Sequence, residues 1–149
     1  MIWPAAVSAP PPDPHMPDDV RAVYEEARQV ESASPRAAAG LLRLALQLLL
    51  KPFVDGETNL NKAIKAAAEN GLAQGIAVMA MDVVRIKGND GVHPSEIQID
   101  EDPELLPALF GLVNIIIDRL VGEPARVKAL FDSLPGDKLE QIKRRDGTA

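Results

Sequence analysis

The stretch SPRAAAGLLRLALQLLLK, residues 34–51, decides the fold of this chain. Ser34 carries the short hydroxyl that caps the free N–H groups of a new helix. Pro35 stands at the first helical position, where its fixed φ and missing N–H do no harm. Beyond Pro35 only Arg36, Arg43, Gln47 and Lys51 are long and polar, at spacings of seven, four and four. On a helix of 3.6 residues per turn those four form one narrow strip. All the rest is Ala, Leu or Gly. A helix apolar on nearly every side is buried, so residues 35–50 read as the central helix of a bundle.

Working outward, the neighbours of this segment are helical too. In MPDDVRAVYEEARQV, residues 16–30, Val20, Val23, Tyr24 and Ala27 repeat at i, i+3, i+4 and i+7, with Asp18 as the expected N-cap. NLNKAIKAAAEN begins near Asn59 and stops at Gly71, a residue suited to a C-cap. QGIAVMAMDVVRIK is expected to bury Ile76, Met79, Ala80, Val83 and Val84 and then meets Gly88. A loop over residues 89–101 follows. A fifth helix is expected from Asp102 and Pro103 to Gly122, where the glycine ends it. A shorter sixth covers EPARVKALFDSL, and GDKLEQIKRRDG adds a polar last turn or two. EIQID, residues 96–100, is the one candidate strand and it is short. No internal repeat is visible. The expectation is an all-α single bundle of five to seven helices over residues 17–146, preceded by an extended proline-rich arm over residues 1–16.

Six of the thirteen prolines fall in residues 1–17, which excludes a helix there. Trp3, the single tryptophan, sits in that arm beside Ile2. Such side chains are wasted in a solvated tail, so the arm is expected to dock on the body or on a partner. With 149 residues the chain makes one ordinary domain. Aromatic residues are 3%, so the core must come from Leu, Ile, Val and Ala. The absence of cysteine excludes disulfides, thiolate nucleophiles and Cys-ligated metals. A net charge of −6 argues against strong non-specific nucleic-acid binding, which rests on neutralising phosphates. The start has no charged n-region or continuous apolar segment, and the most apolar stretch, LLPALFGLVNIIIDRLV, is interrupted by Pro107, Asn114, Asp118 and Arg119. The reading is a soluble, cytoplasmic protein with no membrane span.

The chemistry-bearing candidate is RIKGNDGVH, residues 85–93. Asp82 and Arg85 can pair at i, i+3, and Asn89 follows Arg85 by one turn. Gly88 and Gly91 allow a sharp return, and Pro94 keeps the chain from continuing as helix, so His93 can approach Arg85 and Asn89. An arginine, an amide and an imidazole meeting at a helix end would bind or polarise a phosphate, and the histidine could move a proton. The alternative is structural: Asn89 caps the helix in a left-handed turn and His93 braces the loop. His15 reads as a partnerless surface residue. DEDPE, residues 100–104, reads as acidic capping of a helix start. Asn114 and Asp118 read as a buried polar network or an interface. No phosphate-binding loop, dinucleotide fingerprint or metal-spaced histidine pair is present, so no metal and no cofactor is expected.

The succession MPDDVRAVYEEA, SPRAAAGLLRLALQLLL, RIKGNDGVHP and LVNIIIDRLVGEPARVKALFDSLPGDK resembles the bacterial family catalogued as domain of unknown function 4145, over roughly residues 16–146. That family in turn resembles a branch of the HEPN (higher eukaryote and prokaryote nucleotide-binding) superfamily of helical bundles. The resemblance implies a homodimer working in a bacterial or phage defence setting such as restriction or toxin–antitoxin systems. It further implies a possible RNA or nucleotide ligand and a possible protein partner. Active members of the superfamily carry an arginine and, four to six residues on, a histidine, paired across the dimer. Arg85 and His93 have seven residues between them, while Lys87 and His93 have five. Two functions are therefore expected from the resemblance. The first is a non-catalytic, homodimerising binding and assembly module in which Lys87, Gly88 and Asn89 hold a ligand or shape the turn. The second is a metal-independent endoribonuclease with His93 as acid or base, Arg85 on the scissile phosphate and Asn89 orienting one of them.

Overall fold

The computed structural model describes residues 9–54, 59–89 and 104–147. Among them are seven α-helices, one π turn and no strand: α1 (Asp18–Val30), α2 (Pro35–Leu50), α3 (Leu60–Glu69), α4 (Ile76–Gly88), α5 (Leu105–Ile117), the π turn (Asp118–Gly122), α6 (Glu123–Asp132) and α7 (Gly136–Asp146). Trp3, residues 96–100, the expected helix start at Asp102 and Pro103, and His93 lie outside the described residues.

The central position of α2 follows from its sequence. Ser34 Oγ accepts the Ala37 N–H at 3.2 Å, and the helix buries Ala38, Ala39, Leu42, Ala45, Leu46, Leu49 and Leu50. It packs against α1, α3, α4 and α5. Burying a leucine completely is worth about 1.5–3 kcal/mol, and four leucines of α2 lie in that core, so this one helix supplies much of the stabilising burial. α1 contributes Val20, Tyr24 and Ala27, with the Tyr24 ring edge-on to Phe110 of α5 at 5.2 Å between centroids. Asp18 is not the N-cap. Pro17 holds that place with an extended ψ of 151°, its carbonyl takes the Arg21 N–H, and Asp18 becomes the first helical residue at the positive end of the dipole. α3 starts as expected, with Asn59 Oδ1 accepting the Lys62 N–H, and Gly71 follows it at a φ of +81°.

α4 overturns part of the expected core. Ala80 and Val84 are buried, but Ile76 is 60%, Met79 67% and Val83 39% exposed; Ile86, one turn on, is 51% exposed. The buried face is instead made of Ala77, Ala80, Met81, Val84 and Gly88. Small residues bring α4 close to its neighbours, and the large ones are left outside.

The second correction concerns Gly122, which does not end the fifth helix. α5, the π turn and α6 form one continuous helix, Leu105–Asp132. The Glu123 N–H reaches back five residues to the Asp118 carbonyl. A proline in an α-helix clashes with the carbonyl four residues earlier; the wider π turn just before Pro124 re-registers the backbone and lets the helix pass through it. This helix has the length and hydropathy of a membrane span, with 44% of its apolar window buried. Its apolar residues Leu106, Leu109, Phe110, Val113, Ile116 and Ile117 are bundle core. Beyond the π turn the helix leaves the bundle. No residue of α6 or α7 is buried, and α7 is a full helix of 11 residues rather than a turn or two.

Residues 9–17 of the arm dock on the body. Tyr24 donates its hydroxyl to the Pro10 carbonyl at 2.7 Å. Asn114 of α5 accepts the Asp13 N–H at 2.9 Å and donates to the Pro11 carbonyl at 3.0 Å and to the Tyr24 oxygen at 3.2 Å. One Arg21 nitrogen donates to the carbonyls of Asp13, Pro14 and Met16. Prolines leave carbonyls without a local N–H partner, and these side chains supply the missing donors.

Candidate functional site

The last turn of α4 holds four of the five residues singled out in the sequence. Arg85 and Lys87 place positive charge where the helix dipole is negative. Arg85 donates to Asp82 Oδ1 at 3.4 Å, the expected i, i+3 pair. The Arg85 Nε is buried and finds no acceptor among the described residues. Gly88 is not a turn residue. It lies inside the helix with a second helix pressed against it: a Cβ there would stand 2.5 Å from Arg43 Cβ and 3.0 Å from the Ala39 carbonyl oxygen. Asn89 closes the helix in right-handed geometry, φ −65° and ψ −22°, with its N–H on the Ile86 and Lys87 carbonyls. The left-handed cap is therefore not how α4 ends. His93 lies outside the described residues, so its approach to Arg85 is not part of this geometry.

One residue of the constellation was not singled out from sequence. Arg43, on the polar strip of α2, packs its stem on Gly88. Its Nε is buried without an acceptor among the described residues. The signal was present in the strip itself: a basic stripe on a surrounded helix must face something other than open water. A buried guanidinium nitrogen without a partner costs free energy. The basic end of α4 is suited to an acceptor-rich group, since guanidinium donors match phosphate and carboxylate oxygens.

A second polar cluster forms where the arm meets the π turn. His15 is not partnerless. Its N–H donates to Asp13 Oδ1 at 2.8 Å and its ring Nδ1 lies 3.4 Å from the same oxygen. Across the contact, Arg126 donates to Asp118 Oδ1 at 2.8 Å. That hydrogen bond, aided by the charges of Arg126, Arg119 and His15, holds the Asp118 carboxyl below its usual range. Gly122 makes the approach possible, because a Cβ there would meet Asp118 Oδ1 at 2.7 Å and His15 Nδ1 at 3.1 Å. Arm, π turn and α6 are thus tied at one point. Asn114 and Asp118 serve two separate networks, Asn114 on the arm and Tyr24 and Asp118 on Arg126, and the Asp118 contact is exposed rather than buried.

Next to the π turn lies a groove of about 420 Å3, lined by residues 71–74, Ala77, Arg119, Leu120, Glu123 and Pro124. The Arg119–Glu123 ion pair, 3.0 Å, sits at its edge. No group of metal-ligating side chains occurs among the described residues.

Fold and site together define an all-α helical bundle with a basic helix end and an external apolar face. The family described as Domain of unknown function (DUF4145) matches residues 25–134, and the chain belongs to it. The match runs from the middle of α1 to the end of α6, so the projecting α6 lies within the family's span. Neither curated proteins nor solved structures give a match.

Proposed function

We propose that this chain is a HEPN-like, homodimerising binding and assembly module, without catalysis of its own, acting in the cytoplasm in a bacterial or phage defence setting. The observation that carries the dimer is the α4 stripe. Ile76, Met79, Val83 and Ile86 recur at spacings of three, four and three and are 39–67% exposed. Exposed apolar side chains gathered on one face mark a covered surface. The resemblance to HEPN bundles supplies the defence setting. Covering four half-exposed side chains is worth about 1 kcal/mol each, or roughly 8 kcal/mol over two copies. Association costs about 4–15 kcal/mol. The stripe alone is marginal, so a stable dimer needs a second apolar surface. Light scattering coupled to gel filtration at tens of micromolar should give twice the chain mass; a monomer at that concentration refutes the reading.

A second reading, a metal-independent endoribonuclease, is favoured by the cations at the end of α4. Arg85, Lys87 and Asn89 are joined there by Arg43, with two buried guanidinium nitrogens lacking acceptors among the described residues. The test is RNA cleavage in excess EDTA by wild type, Arg85→Ala and His93→Ala. Assembly without catalysis predicts three inert proteins. Cleavage by wild type, leaving cyclic-phosphate ends and lost in both folded variants, would establish the second reading instead.

A further inference from the structure

Among the described residues, two helices carry runs of exposed apolar side chains. One is the α4 stripe. The other is on α6, where Val127 is 61% and Leu130 71% exposed, with Phe131 and Leu134 also exposed. Val127, Leu130 and Phe131 stand at i, i+3 and i+4 on one side of the helix, and Leu134 follows just past its end. Apart from the π turn it grows from, α6 has no substantial contact with any element.

The geometry forbids the two faces from meeting within one chain. α4 packs along α5, and its first turn lies at the groove beside Leu120 and Pro124, at the far end of α5. α4 therefore runs from the groove back along α5, while α6 runs from the same groove in the opposite direction. The continuous helix through the π turn prevents α6 from folding back onto its own α4.

A two-fold axis near the groove, perpendicular to these helices, reverses both directions. It lays α6 of each copy along α4 of the other, parallel and starting level, with Ile76 and Val127 each within a turn of the groove. The α6 face from Val127 to the helix end at Asp132, about 8 Å at 1.5 Å per residue, fits within the about 15 Å of residues 76–86. Spacings of three and four on both sides suit side-by-side helix packing. The area agrees as well. Four α4 and four α6 side chains, each roughly half exposed and worth about 100 Å2 when fully covered, contribute about 400 Å2 per copy from their apolar parts alone. With the polar residues between them this approaches the ~800 Å2 per partner of a stable interface.

We infer that the occupant of the α4 stripe is α6 of a second copy of this chain, exchanged reciprocally, so that each bundle is completed by the other's projecting helix. This rests on the homodimer reading and names its interface. An isologous contact of this kind closes on itself and leaves neither face exposed.

The chain has no cysteine, so single replacements report cleanly. Met79→Cys and Leu130→Cys change exposed side chains and should leave the fold, read by far-ultraviolet circular dichroism, intact. Mixed and mildly oxidised, the two proteins should give a disulfide-linked pair, while each alone should give almost none. Leu130→Glu should weaken dimerisation at least tenfold in a sedimentation dilution series. A dimer by light scattering in which Leu130→Cys links to itself overturns the exchange in favour of α6 on α6. A dimer in which Met79→Cys links to itself overturns it in favour of α4 on α4. A dimer with no mixed product, or one indifferent to Leu130→Glu, also overturns the exchange while the assembly reading stands. A monomer sinks both.

Discussion

Replacing Gly88 by alanine separates two opposing effects in one residue. In an exposed helix interior, glycine to alanine stabilises by up to about 1 kcal/mol, because glycine loses more backbone entropy on folding. At Gly88 the new methyl would stand 2.5 Å from Arg43 Cβ and 3.0 Å from the Ala39 carbonyl oxygen. Neither atom is the end of a flexible side chain, so relief requires α2 and α4 to move apart. Overpacking of that kind costs about 1–3 kcal/mol, and movement also loosens the contacts of Val84 and Met81 on the same face. The net expectation is a loss of about 1–2 kcal/mol. With a urea slope of about 1–3 kcal/mol/M, the unfolding midpoint should fall by about 0.5–1 M with the slope unchanged. Gly111→Ala is the control. Gly111 lies in α5 with no atom within 4 Å of the position its Cβ would take, so it should gain up to about 1 kcal/mol. Urea melts of the three proteins followed at 222 nm decide the matter. If Gly88→Ala is as stable as wild type, the close approach of α2 and α4 is not a constraint and the placement of Arg43 beside the α4 terminus loses its support.

Two further outcomes follow from the arm network. Burial, as the largest cause, pushes the Tyr24 hydroxyl up to about 12 against an ordinary 10. The folded state therefore holds a proton that the unfolded chain releases first. This contribution is fully present below pH 10 and is lost as pH rises toward 12, on the order of 2 kcal/mol. Tyr24 is the only tyrosine, so absorbance at 295 nm should titrate near pH 12 until the protein unfolds; a midpoint near 10 would contradict the buried site. Asn114→Ala should cost about 1–3 kcal/mol, because the Asp13 N–H and the Pro11 carbonyl lose their partner together. Hydrogen exchange at Asp13 should speed up in step, and unchanged protection there would show that the arm is held by other contacts.

The helices were legible because their signals are local. Ser34 and Asn59 cap α2 and α3 through hydrogen bonds to the third residue on, and the near-total apolar content of α2 admits only a central place. What failed was the choice of face on α4. Its sequence offers two apolar faces, one of Ile76, Met79, Val83 and Ile86, the other of Ala77, Ala80, Met81 and Val84. The expected core took Ile76, Met79 and Val83 from the first and Ala80 and Val84 from the second. Packing selects the second, because small residues and Gly88 let α2 and α4 approach closely, and no periodicity encodes that preference. The continuity of α5 into α6 was hidden for a related reason. Gly122 followed by Pro124 is a local stop signal, and the π turn that overrides it shows no sequence periodicity of its own.

The two failures share a physical cause, and it bears on function. A sequence reading assigns every large apolar residue to a core and assumes that this core lies within one chain. Ile76, Met79 and Val83 on α4 do not obey that rule among the described residues. The hydrophobic effect is non-directional and is satisfied equally by a surface of another copy. In the proposed assembly, the residues that read as core and stand exposed are those of the interface. The contrast between the α2 strip and the α4 stripe makes the same point with opposite signs. Arg43, on the polar strip, is packed against Gly88; Met79, read as core, faces outward. On α4 the exposed stripe is the surface that the proposed second copy would cover, and the terminus carries Arg85 and Lys87, the cations that the proposed anionic ligand would meet.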